Sequence, residues 1–211
     1  MELNEKQIGI LKVAEKLFAE NGYDGTSVRH IAREAGVNVA MISYYFGSKE
    51  KLLEALLFNR FSGFRKEMEK VIAASDDFPT KIEAIVALLI RRVHTNRHAY
   101  RVVNFEFSNA LRQVSFENYV KQKRENYNMI EKLIRSGQRE GVFSDNVNIT
   151  LIVPTILGTY FHFINNERFF RALHGFDETI TTDDYVYTVL TTHIQQTVKA
   201  LLTNTIPPGK T

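Results

Sequence analysis

Residues 26–46 read TSVRHIAREAGVNVAMISYYF, and the spacing of small, apolar and turn-forming residues within them decides the fold. Two short helices are joined by a tight turn at Gly36. Ala32, four residues before that glycine, is small enough for the helices to cross closely. Gly36 can adopt the backbone angles that end one helix inside a three- or four-residue turn. Val37 and Ile42 then pin the second helix against Ile31. Asn38, Ala40, Met41, Ser43 and Tyr44 are left on its outer face: amide, small, hydroxyl and aromatic groups, none acidic. Such a face fits a DNA major groove and can touch base edges and thymine methyls. A helical hairpin in an ordinary all-α core could share the Ala-x-x-x-Gly spacing. The fuller pattern favours a DNA reader. It adds the capping Thr26-Ser27 pair, apolar residues at 28, 31, 35, 37 and 42, and an aromatic Tyr44-Tyr45-Phe46 run before Gly47-Ser48-Lys49-Glu50.

Outward from this stretch, helical periodicity continues in both directions. Residues 5–21 place Ile8, Leu11, Ala14, Leu17 and Phe18 on one stripe and stop at Asn21-Gly22. Ser48 opens a long helix expected to run to about Ala74, and Ser75 to Pro79 breaks it. Helices are then expected over 79–95, 98–113, 116–137, 149–172 and 183–203. The fold class is all-α. The expected domains are a three-helix helix-turn-helix domain over 1–47 and a larger helical domain over 48–211, with 48–74 as the connecting helix.

The chain has 211 residues, 44% of them hydrophobic, which allows a sizeable core. With no cysteine, disulfides, thiolate nucleophiles and Cys-ligated metals are excluded. The first twenty residues contain no apolar signal segment. The longest apolar run, Ile149 to Ile164, is broken by Pro154, Gly158 and His162, short of the roughly 20 residues a spanning helix needs. A cytoplasmic protein without membrane contact is the expectation. Net charge is +3, yet residues 1–75 hold 11 Lys/Arg against 10 Asp/Glu, while residues 81–140 hold 12 against 6. Composition alone would therefore not locate the DNA-binding end.

Residues 10–56 resemble the N-terminal domain of the TetR family of bacterial regulators. The resemblance rests on Ala14, Leu17-Phe18, Gly22-Tyr23, Thr26-Ser27-Val28, Ile31-Ala32, Gly36-Val37, and Tyr45-Phe46-Gly47-Ser48-Lys49-Glu50 followed by Leu52-Leu53. It implies that Thr26 caps the second helix against a phosphate, and that Val39, Ala40 and Met41 meet base edges. It further implies that Tyr44 and Lys49 grip the backbone, roles that hydroxyls, a lysine and a helix N-terminus suit physically. The family often ends this helix with Tyr-x-His-Phe, where this chain has Ser43 and Tyr45. Ser43 is too short to reproduce every phosphate contact, and Tyr44 is the residue that could supply it. Arg29 is the remaining charged candidate, for a base or a phosphate.

A single helix-turn-helix has a small footprint, and such readers usually bind near-palindromic sites as two-fold dimers. Helices 149–172 and 183–203 offer the interface, because the first is apolar almost all round. Complete burial within one chain is the competing explanation. In proteins of the TetR type the last two long helices pair with their mates as a four-helix bundle, and Gly158 would permit a close crossing.

A small-molecule effector site is expected among the middle helices, where Glu106 interrupts an apolar stripe that includes Val103. Glu106 reads first as half of a structural ion pair, with Lys123 the candidate partner, and second as an effector contact. Tyr127, Phe161 and His162 could line the same pocket, although aromatics at helical spacing are more often plain core. His94 and His98 are spaced for one metal ion, but Arg91, Arg92, Arg97 and Arg101 surround them. They read as a solvated basic face, and neither a metal nor a cofactor is called for. No glycine-rich phosphate loop or nucleophile–base pair suggests an enzyme. The reading is a ligand-responsive repressor acting as a homodimer on double-stranded DNA. An activator of the same fold, or a helical adaptor without DNA binding, is the alternative.

Overall fold

The computed structural model describes residues 3–108, 117–176 and 179–204, with the side chains of 105–108 and 118 outside that description. Every regular element among the described residues is helical. The chain forms two compact units, Met1–Ser62 with Thr95–Lys123 and Gly63–His94 with Arg124–Thr211.

The first unit opens with α1 (Glu5–Asn21). Asn4 and Gln7 cap it reciprocally, each side chain accepting from the other's backbone N–H at 2.9 and 3.0 Å. Its buried face is Ile10, Leu11, Ala14, Leu17 and Phe18. Ile8, expected on that stripe, is exposed, and Ile10 takes its place. After α1 come α2 (Val28–Glu34), α3 (Val39–Phe46), α4 (Lys49–Phe61) and α7 (Arg97–Ser108). Ile31, Ala32, Ile42, Leu52, Leu53 and Leu56 are all within 2% of complete burial. Each of the Ile and Leu side chains among them contributes about 1.5–3 kcal/mol by leaving water. Ala99, Val102 and Val103 of α7 complete this core. A charge-assisted pair also ties α1 to α4: Arg60 Nε donates to Glu15 at 2.8 Å.

The connecting helix over 48–74 is not one helix. Its first segment ends at Phe61, and α5 (Phe64–Ala73) starts after Ser62 turns to extended backbone and Gly63 takes φ +83°, a left-handed conformation that glycine adopts without strain. The first of the three points at which the chain crosses between the two units falls at this break.

The second unit holds α5, α6 (Phe78–Thr95), the later part of α8 (Glu117–Arg139), α9 (Ile152–Asn165), α10 (Glu167–His174), α11 (Thr182–Tyr185) and α12 (Thr191–Thr203). The expected stop at Ser75–Pro79 is present: Asp77 accepts from Thr80 N–H at 2.9 Å and opens α6. The segment expected as one helix over 149–172 is three pieces. A 3-10 turn, Ile149–Leu151, leads into α9 with Pro154 in its first turn. The helix then ends at Asn166, whose side chain bonds back to the His162 carbonyl at 2.8 Å, and α10 begins beyond it. Residues 182–203 do run as one helical segment, through a π turn at Val186–Leu190.

His94 overturns its sequence reading. It is 1% exposed, with Nδ1 2.8 Å from the Tyr160 hydroxyl and Nε2 2.9 Å from Asp183 Oδ1. It therefore joins α6, α9 and α11 inside the second unit, and only His98 faces solvent. No group of three or more His, Asp or Glu among the described residues could hold a metal ion. No described helix is long and apolar enough to cross a membrane.

Candidate nucleic-acid interface

The turn between α2 and α3 is built from backbone bonds. Ala35 N–H reaches the Ile31 carbonyl, Gly36 N–H that of Arg33, and Val37 N–H that of Ala32 at 3.0 Å, while Gly36 sits at φ +64°. Ile42, 1% exposed, anchors α3 to this hairpin, and its neighbours on the helix are turned outward. Asn38 caps α3 by accepting from Ala40 N–H at 2.9 Å. Asn38, Val39, Ala40, Ser43 and Tyr44 are exposed and Met41 is half-buried, so the expected outer face is assembled on one helix. Arg29 is exposed on α2.

Tyr44 is 84% exposed. Tyr45, half-buried, braces it edge-on with ring centroids 5.4 Å apart and makes a similar contact to Phe46 at 6.3 Å. Lys49, at the start of α4, lies with Nζ 4.1 Å from the centre of the Tyr23 ring, and the Tyr23 hydroxyl donates to Glu50 at 3.0 Å. Hydrogen bonds from its own backbone, from Ser48 and from Tyr23 hold the Glu50 carboxyl below the usual carboxylate range.

Two sequence readings change here. Thr26 is 0% exposed, and its hydroxyl is shared between the carbonyls of Leu17 at 3.1 Å and Gly22 at 2.9 Å. It cannot meet a phosphate in this arrangement. The cap of α2 passes to Ser27, whose hydroxyl accepts from His30 N–H at 3.1 Å. Sequence reasoning also missed Tyr23, which is 6% exposed and positions both Lys49 and Glu50. Tyr23 stood among the residues that carry the resemblance, but nothing local tied it to Lys49 and Glu50, 26 and 27 residues on.

The chain matches the family description "Bacterial regulatory proteins, tetR family" over residues 10–56 and "Tetracyclin repressor-like, C-terminal domain" over residues 79–198. This chain belongs to the TetR family. Among relatives of this TetR protein, the probable helix-turn-helix regulator YttP of Bacillus subtilis is 30% identical over 136 residues, covering 62% of this chain and 64% of that protein. The transcriptional repressor NicS of Pseudomonas putida is 28% identical over 174 residues, 75% of each chain. The solved structure of KstR2 from Mycobacterium tuberculosis superposes with TM-score 0.75 at 16% identity, covering 96% of this chain and 97% of that one. The Bacillus subtilis FadR structure in complex with stearoyl-CoA gives TM-score 0.72 at 19% identity, covering 92% and 98%. The fold of the TetR family thus extends over 96% of the chain in the KstR2 comparison, beyond the motif that first suggested it.

The expected effector residues are divided between the two units. Val103 is a core residue of the first unit, packed with α1 to α4. Glu106 lies on α7 with its side chain outside the described residues, so a pairing with Lys123 is neither seen nor replaced. Burial lowers the Lys123 ammonium and raises the Tyr127 phenol from their ordinary values. Tyr127 and Phe161 belong to the second unit and are half-buried, Phe161 edge-on to Tyr160 at 5.2 Å. His162 is exposed and lines a cleft of ≈ 540 Å³ in that unit.

Proposed function

We propose that this TetR-family regulator is a repressor that binds a near-palindromic DNA site as a homodimer and releases it when a small molecule binds the C-terminal domain. The observation that carries the DNA reading is the outward face of α3. It is acid-free, anchored from behind by Ile42, and bears a Tyr44 ring that nothing in the protomer covers. Val39, Ala40 and Met41 are the proposed base contacts. Arg29, Ser43, Tyr44 and Lys49 are proposed for phosphates, with Asn38 holding the helix N-terminus toward them.

Support for the homodimer comes from the charge pattern of the last helices. The α9 sequence has no Asp, Glu, Lys or Arg, yet Pro154, Gly158 and His162 face solvent. Val189 is 50% and Leu201 45% exposed on the partner segment. Ordinary surface helices are polar on the solvent side, so this face suits burial against a second copy. The names of NicS and of the KstR2 of Rhodococcus jostii, both called transcriptional repressors, support the sign of regulation. The stearoyl-CoA in the FadR structure supports a small-molecule effector, with Tyr127 and Phe161 of the second unit its proposed contacts.

Coupling follows from linkage. An effector that favours a dimer with wrongly spaced recognition helices weakens DNA binding, and DNA weakens effector binding by the same factor. The chain passes from one unit to the other at Ser62–Gly63, and there we place the lever. A hydroxyl-radical footprint on a bound duplex tests the proposal. Protection in two successive major grooves, about 34–36 Å apart, is expected of a two-fold dimer. One protected patch, or none, would refute it.

A further inference from the structure

Proteins that read bases in the major groove commonly do so with bidentate side chains, Arg or Lys on guanine and Asn or Gln on adenine. Between Val39 and Phe46, α3 carries no Arg, Lys, Asn, Gln, Asp or Glu. Asn38 stands at its N-cap, but the amide oxygen is committed to Ala40 N–H at 2.9 Å. The acceptor and donor that an adenine edge asks for together are therefore not both on offer. The two arginines nearby belong to α2, not to the helix proposed to enter the groove. Arg33 Nε donates to Glu34 at 3.2 Å, and Arg29 is the one assigned above to a phosphate.

What α3 does present changes along its length. Its first turn, Val39-Ala40-Met41, is apolar, with Val39 and Ala40 exposed and Met41 half-buried. Its hydroxyls, Ser43 and Tyr44, follow one turn later, and both are exposed. Ile42 is 1% exposed and fixes the rotation of the helix, so this order of chemistries is presented outward and cannot be exchanged for the buried side. Val39 has one strongly preferred rotamer in a helix, and it offers its two methyls at a fixed place. The unbranched thioether of Met41 adapts to what it meets.

We infer that this protein reads its DNA site through thymine methyl groups, which Val39, Ala40 and Met41 meet as one apolar surface, and not through bidentate hydrogen bonds to guanine or adenine. This rests on the DNA reading above and needs no assumption about how many protomers bind. Thymine is the base that places a methyl in the major groove, where small apolar side chains contact it. In helix-turn-helix readers the N-terminal residues of the second helix meet the base edges, and in α3 that turn is the apolar one. Contact takes the methyl and the side chain out of water together, so each methyl contributes about fourfold in affinity. Burial of this kind is non-directional. Sequence discrimination then follows from where methyls lie in the groove, and the preferred site carries thymines opposite the first turn of α3.

The test uses the full chain and a duplex that it enriches from a random pool. The duplex is made with thymine, and then with deoxyuridine replacing each thymine in turn, which removes the methyl and keeps the O4 acceptor. Affinities are read by fluorescence anisotropy for the wild type, Val39→Ala and Met41→Ala, with far-UV circular dichroism to confirm folding. Alanine favours the helix, so both variants are expected to fold. The wild type should lose about fourfold at one or more thymine positions, and that loss should shrink below about twofold in at least one variant. Equal affinity for every deoxyuridine duplex, with a scrambled duplex bound more weakly, would overturn the methyl readout and leave sequence-specific DNA binding standing. Losses of the same size in the wild type and both variants would overturn the assignment to these side chains. An enriched sequence without thymine would also overturn the readout, and no enriched sequence at all would overturn the DNA reading beneath it.

Discussion

The Tyr23 hydroxyl donates a 3.0 Å hydrogen bond to Glu50, joining the loop after α1 to the first turn of α4 beside the lysine proposed to grip DNA. The same ring lies under the Lys49 ammonium. One buried aromatic residue therefore orients a cation and ties down the helix that carries it.

Replacing Tyr23 with Phe removes that bond and keeps the ring. The expected loss of stability is about 0.5 kcal/mol, at the low end because Glu50 faces solvent. The Glu50 carboxyl is held below its ordinary value, so its contribution is fully present above the unfolded-state value and is lost as pH falls through the folded one. Urea unfolding of both proteins at neutral pH and below about pH 4 checks this. The gap between them is expected to narrow in acid, and a constant gap would count against the assignment.

Thr26 separates a structural role from a DNA contact. Thr26→Val is isosteric but takes the hydroxyl from the Gly22 carbonyl and leaves Asn21 Nδ2 as the side-chain donor to Leu17, at an expected cost of about 1–3 kcal/mol. Thermal unfolding without DNA should reveal the loss, and Thr26→Ser should restore part of it. Unchanged unfolding with weakened DNA binding would return Thr26 to the phosphate.

Gly158 tests the dimer face without disturbing the protomer. A Cβ built there meets nothing within 4 Å, and the position is helical. Gly158→Ala should hold or raise monomer helix stability by up to about 1 kcal/mol. Gly158→Leu should give a folded monomer by sedimentation at concentrations where the wild type is dimeric. A wild-type dimer constant for Gly158→Leu would place the interface elsewhere.

Gly63→Ala forces a side chain into φ +83° and is expected to cost about 1 kcal/mol in denaturant unfolding. If the break is the lever, the substitution should also alter effector-driven release of DNA, measured by anisotropy. Release identical to wild type would remove Ser62–Gly63 from the coupling.

The helix-turn-helix was legible because its constraints are local. Gly36, Ala32 and Ile42 each answer a steric demand within a few residues, and the structure places all three as that demand requires. The errors lie where two local solutions are equivalent or the partner is distant. Thr26 and Ser27 carry similar hydroxyls, and only packing against Leu17 decides which one turns inward. Gly63 sits in a pattern that a continuous helix would also tolerate, so nothing nearby announces its left-handed backbone. His94 is flanked by arginines that suggest solvent, whereas its partners Tyr160 and Asp183 are 66 and 89 residues away. The effector candidates were chosen by periodicity, which carries no information about a cavity. Periodicity cannot tell Val103 in a core from a residue lining a cavity.

The central claim is sequence-specific, dimeric recognition of duplex DNA through α3, and selection of bound duplexes from a random pool tests it most directly. The selection is run at two salt concentrations with wild type and with Tyr44→Ala. The expected result is enrichment of an inverted repeat, weakened by salt as phosphate contacts require and by the loss of the Tyr44 ring. No enriched sequence at either salt, with the protein folded, would contradict the account.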